Sequence, residues 1–335
     1  MSFFLEKDID RIIKNTKIIS KYFSGKKILI TGGNGFLGKS LIKNLIKNKN
    51  YEIFCPSRKE YNLFYYENIK KLFLKIKNIH CVIHLASDHG GLYYNIKNQG
   101  SIYYNNIIMN SHLMHLAMLY KVKKFISAGT IDSYPKKAKF PLIENCIWDG
   151  YPETTSAPYA FTKKMMLVQG DAYKKQFKFN HLQLLFMNLY GPNDDFNEKS
   201  CHVIPAIINK IALAKKNNKK YIKLFGTGKQ MREFLYVDDA ADALIKCINY
   251  PNKINRINIG TGKSVTINFL ANTIKKIMRF DGKIRWDKDI ESGIHKKNFN
   301  INFAKKNLKF SNKTNLSNGL KKTINWYYEK NKTSS

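Results

Sequence analysis

A glycine-rich segment near the start of the chain constrains its fold more than any other feature. The segment TGGNGFLG, residues 31–38, follows the apolar run 28–30 and precedes a helical pattern. Gly32, Gly35 and Gly38 fit a tight turn, a close approach of backbone to a pyrophosphate, and close packing of helix on strand. Free N–H groups at the start of such a helix attract phosphate. The segment therefore predicts a dinucleotide site in a βαβ unit.

Strand and helix patterns alternate after this segment. Apolar strand patterns recur at YEIFC, HCVIHLA, KKFISAG and LQLLFMNL, and helical patterns between them fall near 39–47, 66–77, 100–120 and 158–177. This rhythm predicts an α/β fold with a Rossmann-like doubly wound parallel sheet over residues 26–190. We expect a smaller α/β substrate-binding domain over 191–330, and an N-terminal helical extension over 1–25 with an amphipathic helix at 4–23.

The charge of the chain is strongly positive. Its 335 residues include 58 Lys and Arg against 24 Asp and Glu, a formal net charge of +34. Only six of the basic residues are arginine, the residue best suited to bidentate reading of phosphates and bases. The lysines are scattered without a dense basic arm, which favours a solvated surface. We expect no nucleic-acid partner, although an anionic small-molecule ligand would benefit from the field.

The cysteines and the apolar runs exclude other classes. The five cysteines are far apart and show neither CxxC nor metal-ligand spacing, so we expect no metal site and no disulfide framework, and a cytoplasmic location. No apolar run approaches the length needed to span a bilayer, so we expect no membrane partner.

The end of the second predicted strand bears on the choice of cofactor. An NAD site usually places an acidic residue there to bond the ribose, but this chain has Pro56-Ser57-Arg58. Because a guanidinium suits a 2′-phosphate, we predict NADPH, the alternative being a solvent-facing Arg58. The residues predicted to line the cofactor site are Gly32, Asn34, Gly35, Phe36, Leu37, Gly38, Arg58, Asn62, Leu63, Leu85 and Ala86.

A tyrosine and a lysine are spaced four residues apart in the segment YAFTK. On the predicted helix, Tyr159 and Lys163 share a face, and an ammonium nearby lowers the pKa of a phenol. We therefore predict that Tyr159 donates a proton to a carbonyl oxygen during hydride transfer, with Lys163 tuning it and binding the cofactor. Thr130, at the end of the strand KKFISAG, would give that oxygen a second hydrogen bond.

These motifs together resemble a known superfamily, the extended short-chain dehydrogenases/reductases of nucleotide sugars. The segments HLASDHGGLYYN, YPKKAKFPLIE, APYAFTK, NLYGPNDDFN, HVIPA and GTGKQMREFLYVDD match its GDP-L-fucose synthase family in order and spacing, over about residues 26–328. Members of that family are 3,5-epimerases and 4-reductases of a GDP-4-keto-6-deoxy sugar. The resemblance implies a homodimer through the helices near 100–120 and 158–177.

The resemblance also implies roles for particular residues. Thr130, Tyr159 and Lys163 would form the reductase triad, with threonine in place of the usual serine, and His202 would be the epimerisation acid/base or else a hydrogen-bonded structural imidazole. Substrate contacts would fall on Asn188, which also fits a structural role, and on Lys210, Phe225, Arg232 and Lys297.

One position departs from that family. The catalytic cysteine expected two residues after the triad serine is Asp132 here. A carboxylate, with a pKa of about 3.9, is a far weaker base than a thiolate, with a pKa of about 8.5. We therefore hypothesise that C4 reduction is retained and that 3,5-epimerisation is weakened or lost. Cys201, beside His202, is a less favoured substitute for the missing thiol.

Other readings of the chain remain open. One alternative is the full bifunctional epimerase/reductase. Another is a 4,6-dehydratase, which places glutamate at the position of Asp132, or a 4-epimerase, and both recycle tightly bound NAD. The sugar itself, hexose or heptose, is not fixed by the motifs.

Overall fold

The computed structural model describes residues 25–46, 51–198, 200–251, 253–287 and 296–332. The helix predicted at 4–23 lies outside the described residues. No helix in the described part of the chain is long and apolar enough to cross a membrane.

A six-stranded parallel sheet forms the centre of the larger unit. Its strands run in the spatial order β2, β1, β3, β4, β5, β9. Their bounds are β1 Lys26–Thr31, β2 Tyr51–Phe54, β3 Cys81–His84, β4 Lys124–Thr130, β5 His181–Phe186 and β9 Arg256–Ile259. Both faces of these strands are buried, as expected for a sheet covered by helices on each side. The predicted Rossmann-like doubly wound sheet is confirmed.

Helices pack on both faces of this sheet. One face carries α1 (Phe36–Ile46), α7 (Val237–Ile248) and α9 (Asn302–Leu308), whose apolar residues share a core with the strands. The other face carries α2 (Tyr66–Ile76), α4 (Gln99–Leu119) and α5 (Ala157–Phe177). The short helix α3 (Leu92–Lys97) precedes α4. Because all strands are parallel, their carboxyl ends meet at one edge, where ligands bind in this architecture.

The smaller unit covers the carboxyl edge of the sheet with helices and short strands. Its helices are α6 (Val203–Lys216), α8 (Ile267–Ile277) and α10 (Leu316–Lys332). Its strands are β6 (Asn188–Tyr190), β7 (Tyr221–Phe225), β8 (Met231–Tyr236), β10 (Ser264–Thr266), β11 (Lys283–Asp287) and β12 (Lys296–Lys297). Strand β8 pairs with β6, β10 and β12, while β7 pairs with β11. A separate apolar cluster holds this unit together.

The chain crosses between the two units more than once. The predicted strand LQLLFMNL is two strands, because β5 stays in the large sheet while β6 pairs with β8 of the small unit. Residues 237–259 then return to the large unit as α7 and β9. The residues predicted as mainly substrate-binding, 191–330, therefore include α7 and β9, which supply apolar surface to the large core.

Candidate active site

A cleft of about 490 Å³ lies at the carboxyl ends of β1, β2 and β3. Six of the residues predicted to bind the cofactor line it: Gly32, Asn34, Arg58, Asn62, Leu63 and Ala86. Leu85 directly precedes Ala86, and Gly35 and Phe36 lead into α1 beside the cleft. The sequence therefore located one continuous groove from residues of three different loops.

Glycines let the loop after β1 pack closely against its neighbours. Gly32 has φ +71°, and a Cβ there would come within 2.6 Å of the backbone nitrogen of Ala86. A Cβ on Gly38 would clash with Gly32 and Gly33, so glycine lets helix α1 pack against the loop. The Gly35 N–H donates to the Gly32 carbonyl at 3.0 Å and closes the turn. This cradle fits the diphosphate of a dinucleotide.

Arg58 lies on the wall of the same cleft. Its guanidinium stacks over the Phe64 ring at 5.0 Å, and Asn62 accepts the Phe64 N–H at 3.1 Å, which fixes the loop after β2. No acidic side chain follows β2 directly, so the wall offers a cation where an NAD site would offer a carboxylate. This arrangement fits a 2′-phosphate.

Tyr159 and Lys163 lie one turn apart on α5. Both are buried, and the Lys163 ammonium lies 5.4 Å from the centre of the Tyr159 ring. Ser133, which follows β4, donates to the Ala160 carbonyl at 3.5 Å, so the turn 130–133 packs directly on this helix. The turn that begins at Thr130 therefore packs against the part of α5 that carries Tyr159 and Lys163.

The predicted lowering of the Tyr159 pKa is wrong for this structure. Burial raises the pKa of Tyr159 to about 12, although a hydrogen bond with Ser87 acts in the opposite direction. Lys163 is not among the groups that shift this pKa, and burial lowers the pKa of Lys163 itself to about 8. Tyr159 therefore remains protonated at neutral pH, which is the state that a proton donor needs.

Asp132 forms an ion pair beside the triad. The Lys297 ammonium lies 3.1 Å from Oδ1 of Asp132, and the Thr130 hydroxyl donates to Oδ2 at 3.4 Å. Burial acts to raise the pKa of Asp132, but Lys297 and the other neighbours outweigh it and hold that pKa below its usual value. The group at the cysteine position is therefore an ionised carboxylate that is already paired.

The other predicted substrate residues lie along the small unit. Arg232 is adjacent to Lys297 across the β8–β12 pairing. Lys210 stacks over the exposed Phe225 ring at 4.5 Å and donates to the Lys223 carbonyl at 2.8 Å. The Asn188 amide donates to the Glu233 carbonyl at 2.9 Å, which is a structural bond between β6 and β8. Lys297, expected to contact substrate, is here engaged with Asp132.

Two residues of the site were missed by the sequence analysis. His89 stacks on Tyr159 with ring centres 4.0 Å apart, and its ring lies 5.9 Å from that of His202, which caps helix α6. Ser87 hydrogen-bonds with Tyr159 and donates to Asn106 at 3.0 Å. Both follow β3 in the segment HLASDHGG, and their position after a parallel strand was the signal available in the sequence.

Three comparisons place this geometry among known proteins. A model of the family described as the NAD dependent epimerase/dehydratase family matches residues 28–260. GDP-L-colitose synthase of Yersinia pseudotuberculosis is 32% identical over 308 residues, which cover 91% of this chain and 99% of that protein. GDP-L-fucose synthase 1 of Arabidopsis thaliana is 30% identical over 301 residues, which cover 90% and 93%.

Solved structures resemble the whole described fold. MlghC, a GDP-mannoheptose C4 reductase from Campylobacter jejuni with NADP bound, has a TM-score of 0.82 at 27% identity, covering 91% of this chain and 98% of that one. A GDP-L-fucose synthetase from Naegleria fowleri bound to NADP has a TM-score of 0.85 at 28% identity, covering 92% and 94%.

Proposed function

The chain belongs to the NAD dependent epimerase/dehydratase family, and we propose that it is an NADPH-dependent oxidoreductase that reduces the C4 ketone of a GDP-4-keto-6-deoxy sugar, hexose or heptose. Relatives named as GDP-fucose and GDP-colitose synthases and a structural neighbour named as a GDP-heptose C4 reductase support the substrate class. The NADP-bound neighbours, together with Arg58 in the cleft, support NADPH.

The residues of the cleft would hold NADPH by their backbone and by Arg58. The glycine loop receives the diphosphate, Arg58 the 2′-phosphate, and the wall at Asn62 and Leu63 the adenine. When bound, NADPH supplies the hydride that reduces C4. Lys163 is buried on α5 beside Tyr159 and would bind the nicotinamide ribose.

Tyr159 supplies the proton for the reduced oxygen. Reduction of a ketone places negative charge on its oxygen, so a protonated donor must lie against that atom. The raised pKa of Tyr159 keeps the phenol protonated, and Ser87 holds its hydroxyl group. Thr130 gives the same oxygen a second donor, because its 3.4 Å bond to Asp132 is long enough for the hydroxyl to turn away from it.

Epimerisation would need bases for the protons on C3 and C5. His202, whose pKa is lowered by burial, is one candidate, but the position of the family cysteine holds Asp132. Asp132 is ionised, but its pKa is below that of an ordinary carboxyl and Lys297 occupies one of its oxygens. A carboxylate there also repels the negative charge that develops on an enolate. We therefore propose that 3,5-epimerisation is weakened or lost and that an enzyme acting earlier sets the configuration at those carbons. The ion pair between Asp132 and Lys297 carries this part of the proposal.

Cofactor stoichiometry tests the reductase assignment. With a GDP-4-keto-6-deoxy sugar we expect one NADPH oxidised for each 4-hydroxy product formed, followed at 340 nm and by chromatography of the product. A 4,6-dehydratase or 4-epimerase recycles its own NAD, so turnover without added NADPH would contradict the proposal.

We also propose a cytoplasmic homodimer that pairs α4 and α5 of the two copies. The five cysteines are free thiols, which suits a reducing compartment. Tyr104 and Leu119 on α4, and Val168 on α5, expose large apolar side chains on the outer surface of the molecule. In analytical ultracentrifugation the wild-type protein should sediment as a dimer and Val168→Glu as a monomer.

A further inference from the structure

The ring of His89 lies flat on the ring of Tyr159. The ring centres are 4.0 Å apart and the planes are inclined by only 7°. Unconstrained aromatic pairs adopt offset or edge-to-face arrangements, with a larger distance between the ring centres. The surroundings of His89 therefore impose this stack.

Two contacts hold the loop that carries His89. The Gly91 N–H donates to the Ser200 carbonyl at 2.7 Å, so the loop after β3 is tied to the segment that leads into His202 and α6. Asn95, on α3, accepts the Gly90 N–H at 3.2 Å and also hydrogen-bonds with the His89 side chain. His89 is thus held from both units of the molecule.

The imidazole of His89 is neutral and has a ring nitrogen without a partner among the described residues. Burial lowers the pKa of His89 to about 4, even though Asp132 acts to raise it. Nδ1 of His89 is buried without a hydrogen-bond partner among the described residues. An unpaired buried polar atom costs free energy, so hydrogen bonding alone does not explain why a histidine is held here.

We propose that His89 is a positioning residue: its ring fixes the plane of Tyr159, so that the phenol hydroxyl meets the C4 oxygen of the sugar. This inference rests on the proposed role of Tyr159 as the proton donor. Tyr159 has Lys163 on one side at 5.4 Å and Ser87 at its hydroxyl, and His89 covers a ring face. Without that cover the ring gains rotational freedom about its side-chain bonds, and a misplacement of the donor by about 1 Å can cost about 100-fold in rate.

The test compares a variant that keeps a ring with variants that remove it. His89→Phe keeps the flat face, while His89→Leu and His89→Gln lose it. His80→Leu is a matched control, since His80 precedes β3 at the opposite end of the same strand. We expect kcat for ketone reduction to fall roughly tenfold or more in His89→Leu and His89→Gln, with the KM for NADPH nearly unchanged. His89→Phe and His80→Leu should stay close to wild type.

A second readout needs neither cofactor nor turnover. In protein labelled with 3-fluorotyrosine, the ¹⁹F resonance of Tyr159 is identified by its absence in Tyr159→Phe. The stacked ring should shift this resonance in wild type and in His89→Phe, and the shift should disappear in His89→Leu and His89→Gln. The spectrum of the other tyrosines reports whether each variant is folded.

The outcomes separate this inference from the proposed function. An unmoved Tyr159 resonance in His89→Leu, or a His89→Phe as slow as His89→Leu, would overturn the positioning role. An equal loss of kcat in His80→Leu would also overturn it, because the effect would then be one of general packing. A wild-type protein that does not oxidise NADPH with the keto sugar would refute the proposed function, while the fluorine spectra would still decide whether His89 fixes Tyr159.

Discussion

The cofactor cleft and the sugar side of the active site are built in different ways. The cleft is lined mainly by residues of the loops that follow β1, β2 and β3, with further residues from α3 and α4. The sugar side consists of charged and aromatic side chains brought together from distant parts of the chain, such as Asp132 and Lys297, which are 165 positions apart. The cleft therefore follows from local spacing, whereas the sugar side depends on how the two units pack.

The two regions also have different roles in the proposed reaction. Binding of a dinucleotide needs turns and helix termini, which many family members share. The choice between reduction and epimerisation depends on which groups surround Tyr159, and here those groups are an ion pair and a histidine ring. Substitutions on the sugar side should therefore change the reaction, while substitutions in the cleft should change only cofactor binding.

The largest effect on catalysis is expected from a substitution of Tyr159, the proposed proton donor. Tyr159→Phe should lower kcat for ketone reduction on the order of 10³-fold, because general acid catalysis contributes about 10²–10⁴. Binding of NADPH, measured by its fluorescence, should remain. Tyr328→Phe, on the surface helix α10, is the control. Normal turnover by Tyr159→Phe would refute the assignment of the donor.

A smaller effect is expected in the cleft. Arg58→Ala should raise the KM for NADPH roughly tenfold, since a hydrogen bond to a charged group contributes about 1.5–3 kcal/mol. The KM for NADH, which has no 2′-phosphate, should not rise. Arg285→Ala, whose guanidinium stacks on Tyr221 in the small unit, serves as the control. An equal rise in the KM for NADPH and the KM for NADH would mean that Arg58 does not recognise the 2′-phosphate.

The buried Lys163 predicts how stability depends on pH. Its pKa is about 8 in the folded protein against 10.5 as the ordinary value, so between these pH values the unfolded chain binds more protons. The free energy of unfolding should therefore rise with pH across this window, by up to about 1.4 kcal/mol per pH unit from this residue. In urea unfolding, the free energy of unfolding of Lys163→Met should rise less with pH than that of the wild type. Parallel curves for the two proteins would contradict the burial of a charged Lys163.

The smallest effect is expected for the ion pair on the sugar side. Asp132→Asn should change the free energy of unfolding at pH 7 by less than about 1 kcal/mol, because partly exposed ion pairs contribute little. The folded pKa of Asp132 is lowered, so any contribution is present above its ordinary value of 3.8 and disappears as the pH falls below it.

Glu153→Gln is a matched control, since Glu153 pairs with Lys136 at the same 3.1 Å distance on the surface. If Asp132→Asn lowered the free energy of unfolding several times more than Glu153→Gln does, the Asp132–Lys297 pair would serve the stability of the fold rather than the reaction.

Sequence spacing predicted the fold and the cleft because these depend on neighbours in the chain. Gly32, Arg58 and Tyr159 were predicted from a strand end, a missing acidic residue and a four-residue spacing, respectively. The sequence could not predict that Lys297 pairs with Asp132, because the two residues are 165 positions apart and meet only when the chain is folded. It also could not predict the raised pKa of Tyr159, since burial depends on the packing of α5, nor the stacking of His89, which needs the contact between Gly91 and Ser200.

Deuterium incorporation tests the central claim, that this site reduces C4 without epimerising C3 and C5. The protein is incubated with NADPH and a GDP-4-keto-6-deoxy sugar in deuterated water, beside a sample without enzyme that reports spontaneous exchange. Mass spectrometry and NMR of the product then locate the deuterium. The account predicts a 4-hydroxy product with no enzyme-dependent deuterium on C3 or C5. Enzyme-dependent deuterium on both carbons would contradict it and identify a full epimerase/reductase.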